Sequence, residues 1–141
     1  MILIDTNVIS ELWKIQPDPG VLAWMDSQVV ATLYLSSITL AELGYGLATM
    51  PEGKRRSIFE GRLEREVLPA FAGRILPFDL EDSKAYAALM SRAKSEGRAI
   101  SQADGYIAAT ATARALTVAT RDGAPFLAAQ LTVINPWKSL S

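Results

Sequence analysis

The chain has 141 residues, half of them apolar, a formal charge of −1, and neither cysteine nor histidine. That length supports one hydrophobic core and is short for two, so one domain over 1–141 is expected. The missing residue types exclude disulfides, thiol nucleophiles, imidazole bases and the usual zinc ligands. The near-zero charge excludes a strong overall pull toward nucleic acid, so any such contact must rest on local basic patches or on metal.

In chain order, Ile2-Leu3-Ile4 is a short apolar, β-prone run. Asp5-Thr6-Asn7 then supplies capping side chains for a helix to about Lys14. Pro17-Asp18-Pro19-Gly20 breaks the chain before a second amphipathic helix carrying Val21, Leu22, Trp24 and Met25. Leu33 to Ser36 reads as a buried strand, followed by a helix with Leu40, Leu43 and Leu47. Pro51-Glu52-Gly53 marks a loop, and a charged helix with Lys54, Arg55, Arg56, Arg62 and Arg65 runs toward Pro69. Ile75 to Phe78 is a further short strand whose proline suits an edge. Leu80 to Glu96 forms a helix ended by Gly97, and Ser101 opens an alanine-rich helix to about Ala115. Leu116 to Thr120 is a strand closed by the turn Arg121-Asp122-Gly123, and Leu131 to Ile134 is the last strand.

Short apolar strands alternating with helices predict an α/β three-layer sandwich, a central, mostly parallel sheet with helices on both faces. Ligands in such folds bind beyond the carboxyl ends of the strands, where Asp5 and Asp122 fall. The start shows no basic, signal-length apolar segment, and the Ala/Thr-rich stretch 103–120 is interrupted by Asp104 and Arg114. A soluble, cytoplasmic protein without membrane contact is the expectation.

Four acids stand out, each with an ordinary structural explanation. Asp5 caps a helix; Thr39-Leu40-Ala41-Glu42 and Ser101-Gln102-Ala103-Asp104 fit the capping-box pattern; Asp122-Gly123 is a common turn pair. All four lie among segments expected to be buried, where converging carboxylates repel one another and take up protons unless a cation compensates them. With no Cys or His, an oxygen-only site selects hard ions, Mg²⁺ or Mn²⁺ before Ca²⁺.

Asp5-Thr6-Asn7, Thr39-x-x-Glu42-Leu43, Ala103-Asp104 and Thr120-Arg121-Asp122 together resemble, in order and spacing, the acidic signature of PIN-domain ribonucleases. Phe71 to Asp79 and Asn135-Pro136-Trp137 are similar to the FitB-like branch of VapC-type toxins. The resemblance implies a Mg²⁺- or Mn²⁺-dependent endoribonuclease acting on single-stranded RNA, the toxin of a toxin–antitoxin pair. It also implies a homodimer and a small DNA-binding antitoxin partner, with promoter DNA bound only through that antitoxin. Carried over by position, Asp5, Glu42 and Asp104 match the family's central acids and Asp122 the fourth, catalytic and metal-binding alike. Thr120 matches an accompanying hydroxyl, while Thr6 and Asn7 match the first motif as residues that orient Asp5 or the helix start. Arg121, beside Asp122, is a candidate for a phosphate contact or for a salt bridge to a nearby acid.

The basic cluster from Lys54 to Arg65 reads as an RNA contact or as a solvated helix face, and its interspersed glutamates favour the latter. Trp13, Trp24 and Tyr106 stand among apolar residues, where packing is favoured over base stacking. A phosphatase with an Asp-x-Asp nucleophile is the rival enzyme, but Asn7 occupies the second position. The other alternative is an antitoxin-binding subunit of a DNA-binding regulator with little nuclease activity of its own.

Overall fold

The computed structural model describes residues 1–138. The last three residues of the expected 1–141 domain thus lie outside the described residues. Five strands form a wholly parallel sheet: β1 (Ile2–Ile4), β2 (Leu33–Ser36), β3 (Ile75–Leu76), β4 (Thr117–Ala119) and β5 (Val133–Ile134), in the order β3-β2-β1-β4-β5. β1 is central, with Leu3 opposite Tyr34 on one side and Val118 on the other. Its residues are apolar without alternation because both faces are covered.

Side-chain alternation along the strands assigns each residue to one of two cores. Ile4, Leu33, Leu35 and Ala119 point into the first, closed by α1 (Thr6–Leu12), α2 (Pro19–Asp26), α3 (Ser37–Ala48), and Val67 and Phe71 from the segment beyond α4 (Lys54–Arg62). Leu3 and Val118 point into the second. There Leu89 of α6 (Leu80–Ser95), Ile107 and Ala108 of α7 (Gln102–Arg114) and Phe126 of α8 (Ala124–Ala128) cover them. Leu3 and Ile4 are fully buried, each worth about 1.5–3 kcal/mol of hydrophobic stabilisation.

Boundaries differ from the sequence reading where backbone chemistry decides. The first helix ends at Leu12 rather than about Lys14. The charged helix does not continue regularly toward Pro69: a π-helical stretch, Leu63–Val67, intervenes before α5 (Leu68–Ala70). β3 stops at Leu76 ahead of Pro77 and lies at the sheet edge, as its proline required. α8 has no counterpart in the sequence reading, because five residues are too few for a helical period to show. Among the described residues no helix is long and apolar enough to cross a membrane.

Candidate active site

Going along the chain, β1, β2 and β3 step outward on one side, and β4 then starts on the far side of β1. The switch in direction leaves a crevice at the carboxyl ends of β1 and β4, the position where open parallel sheets bind ligands. Asp5 leaves β1 there, with its backbone N–H donating to the Ala119 carbonyl (2.9 Å), and Thr120 leaves β4 beside it.

Asp5 is 6% exposed and caps α1, its Oδ1 accepting from the Thr6 backbone N–H (2.8 Å). Its Oδ2 accepts from the Thr120 hydroxyl (2.8 Å) and more weakly from Asn7 Nδ2 (3.4 Å). No cation pairs with it among the described residues. Burial pushes its pKa up to about 6, and the charges of Asp104 and Glu42 push the same way, against the Thr120 and Thr6 hydrogen bonds that lower it. Asp104, from α7, and Glu42, from α3, are thus near enough for their charges to act on Asp5.

Glu42 is not a capping-box residue. Ser36 caps α3, accepting from the Thr39 N–H (3.0 Å), so Glu42 lies in the second turn, beyond reach of the helix start. Its Oε1 instead accepts from the Thr6 hydroxyl (2.6 Å), linking α3 to α1. Asp104 does sit in the first turn of α7, under a Ser101 cap whose Oγ accepts the Asp104 N–H (3.2 Å). Gly105 lets that turn press against α6: a Cβ there would stand 2.7 Å from Met90 Sδ and 3.0 Å from the Tyr86 ring. Asp122 is exposed, tied to the site by its backbone N–H donating to Thr120 Oγ1 (3.2 Å).

Asn7 braces the crevice from both ends, donating to Thr120 Oγ1 (3.2 Å) and accepting from the Arg121 N–H (3.3 Å). Arg121 forms no ion pair among the described residues, which removes the salt-bridge reading. Its guanidinium lies over the Trp137 ring, 5.3 Å from the centroid. Tyr106 packs, stacked on Tyr86 at 4.7 Å, and Trp24 is buried in the first core.

Sequence reasoning missed two polar residues, Glu11 and Asp82, and named Thr39 only within the Thr39-x-x-Glu42 pattern. Thr39, fully buried, lies 3.2 Å from the Thr6 hydroxyl and joins Ser36 to the site; its signal was the hydroxyl cluster Ser36-Ser37-Thr39 directly after a strand. Glu11 is buried near Trp137 and held below the usual carboxylate range by the Lys14 ammonium (2.8 Å) and the Asp18 N–H (2.9 Å). Nothing in its local sequence marked it. Asp82, also buried, belongs to a separate network on α6 and α7.

Residues 2–129 match the PIN domain. The chain belongs to the PIN-domain family. This PIN domain is 65% identical over 138 residues to VapC ribonuclease Y4jK of Sinorhizobium fredii, covering 98% of the chain and 99% of that protein. It is 53% identical to Toxin FitB of Neisseria gonorrhoeae over 97% of the chain and 99% of the toxin. The crystal structure of FitAcB from Neisseria gonorrhoeae superposes with a TM-score of 0.95 at 53% identity, covering 98% of this chain and 99% of that one. These likenesses agree with the expected central parallel sheet flanked by helices.

Among the described residues no group of three or more acids is already arranged as a metal cluster. The donor chemistry nevertheless fits a divalent hard cation. Every candidate ligand is a carboxylate or hydroxyl oxygen, and the innermost carboxylate lacks the positive charge that its burial calls for.

Proposed function

We propose that this PIN domain is a divalent-metal-dependent endoribonuclease acting on single-stranded RNA, the toxin of a type II toxin–antitoxin pair. The observation that carries this reading is a buried carboxylate, Asp5, faced by two further acids and left without a counter-charge at the switch point of a parallel sheet. Such an arrangement is unfavourable to folding by itself, which points to a cationic ligand and to chemistry rather than to scaffolding.

Asp5, Glu42 and Asp104 would hold Mg²⁺ or Mn²⁺, with Asp122 as the outer acid; the ion would supply charge for the scissile phosphodiester and a more acidic water. The surrounding residues orient these acids. The Thr120 hydroxyl fixes the Asp5 carboxylate and the Thr6 hydroxyl fixes that of Glu42. Asn7 holds Thr120 and the Arg121 backbone in place. Removing such orienting partners typically weakens a metal site about 10–100-fold. Asp122, exposed to solvent, is suited to accept the proton of the attacking water as its oxygen bonds to phosphorus, while the bond from phosphorus to the leaving ribose oxygen breaks and that oxygen takes a proton from solvent. Arg121, exposed and free of any ion pair among the described residues, is suited to contact a phosphate.

A small DNA-binding antitoxin is the proposed partner, supported by the likeness to FitAB bound to an IR36 DNA fragment, at TM-score 0.96 and 50% identity. Promoter DNA would then be reached only through the antitoxin. Cleavage of a mixed RNA pool tests the activity: it should require Mg²⁺ or Mn²⁺, stop with chelator and be absent in Asp5→Asn. Equal cleavage in all samples would overturn it. Calorimetry of Asp104→Asn should show weakened Mn²⁺ binding, and unchanged affinity would leave Asp104 a cap residue only.

A further inference from the structure

A cleft of about 240 Å³ opens beside Glu42 and Thr6 and runs between α1, α3 and α4. Its floor and walls are apolar: Leu43, Leu47 and Met50 on one side, Trp13 and Phe59 on the other. The two rings stack on each other at 5.6 Å, with Arg55 lying over Phe59 and Arg62 over Trp13. The cleft continues past Trp13 and Phe59 into a wider one of about 630 Å³, edged by Lys54, Arg55 and Arg62. Lys54 and Arg55 are exposed and have no acidic partner among the described residues, whereas Arg56 and Arg62 pair with Glu60 and Glu66.

A glycine keeps the cleft open. Gly44 and Gly46 both lie inside α3, where glycine weakens a helix, and a Cβ on either would meet nothing within 4 Å. Only Gly46 lines the cleft. A side chain there would project into the passage between Glu42 and the basic rim; one at Gly44 would not.

Resting on the nuclease reading, we infer that this cleft is the bed of the substrate strand: single-stranded RNA leaves the acidic centre past Gly46, its bases against the apolar floor, its phosphates on Lys54 and Arg55. The charge argument selects the occupant. The chain is net negative, yet the cations spared from ion pairing on α4 gather at the mouth of a cleft whose other end is the carboxylate centre. A polyanion cut at the centre and continuing outward meets positive charge where it needs it, and unpaired bases supply the flat apolar surface. The two clefts end to end, about 240 Å³ opening into about 630 Å³, form an elongated course that suits a strand lying lengthwise.

The test uses the full chain and two readouts. Anisotropy of a short fluorescein-labelled single-stranded RNA, in chelator so that nothing is cut, reports the cleft. Hydrolysis of bis(p-nitrophenyl) phosphate with Mn²⁺, a substrate too short to reach α4, reports the acidic centre. Lys54→Glu/Arg55→Glu and Gly46→Leu should each weaken RNA binding about tenfold or more and slow RNA cleavage, leaving the small phosphodiester unaffected. The dependence of log affinity on log salt should lose about 0.7 per phosphate contact removed. Gly44→Ala should bind as wild type does. Thermal melts keep Gly46→Leu interpretable, since leucine is the better helix former and Tm should not fall. Wild-type RNA affinity in both cleft variants would overturn the inference, as would loss confined to capture of a co-expressed antitoxin. Failure of the nuclease reading would look different: wild type would hydrolyse neither substrate while still binding RNA through the cleft.

Discussion

Two buried aspartates in this molecule have opposite surroundings. Asp82, inside α6 and fully buried, accepts from the Thr110 hydroxyl (2.6 Å) and from the Arg114 guanidinium. Arg114 also reaches Asp79 (3.0 Å) and the Pro77 carbonyl (3.3 Å), so one cation pins α7 to α6 and to the chain after β3. Asp5 is nearly as buried, yet it has only hydroxyl and amide donors and is faced by two other acids. Burial alone therefore does not separate the two acids; the counter-charge does. One site has its counter-charge within the chain; on the proposed reading, the other receives it from a bound cation.

The sharpest break in that contrast is Arg114→Met. It strands the Asp82 carboxylate with one hydroxyl, and removing one partner of a buried pair typically costs about 3–5 kcal/mol. Denaturant melts should show a loss toward the lower end, since Arg114 is 24% exposed, with RNA cleavage per folded molecule retained. A loss under about 1 kcal/mol would make the two aspartates equivalent.

Asp5→Asn should act with the opposite sign on stability. The pKa of Asp5 is about 6 when folded against 3.8 ordinarily, so the folded state holds the extra proton between these values. The contribution to stability is full below 3.8 and is lost as pH rises through about 6. Metal-free wild type should thus lose up to about 3 kcal/mol across that window. Asn at position 5 should flatten the slope and stabilise the protein above pH 6, while cleavage falls by about 100-fold or more. Adding Mn²⁺ should restore wild-type stability above pH 6 and leave the variant unchanged. A wild-type melt flat from pH 4 to 7 in chelator would contradict the uncompensated charge.

Thr120→Val removes the hydroxyl that lowers the Asp5 pKa, so the Asp5 carboxyl signal in ¹³C NMR should titrate higher and cleavage should drop about tenfold. The smallest effect is expected at Gly105→Ala. Its methyl meets the flexible end of Met90 and the Tyr86 ring, so a loss of about 1 kcal/mol should accompany a displaced first turn of α7 and weaker metal affinity through Asp104. A Mn²⁺ titration by calorimetry checks it.

The sequence by itself determined the order of the strands and of the longer helices, though not α8, and the parallel character of the sheet, because short apolar runs such as Ile2-Leu3-Ile4 alternate with helical segments. It also marked Asp5, Glu42, Asp104 and Asp122 through motif spacing. Only the tertiary structure shows what surrounds them. Ser36, not Thr39, caps α3, which frees Glu42 for Thr6; Arg121 stacks on Trp137 instead of pairing; Asp82 has its cation and Asp5 does not. These outcomes depend on which distant segments meet, across 36 residues for Thr6 and Glu42 and 115 for Asp5 and Thr120. Local propensity holds no information about such separations; packing a sheet between two layers of helices creates it.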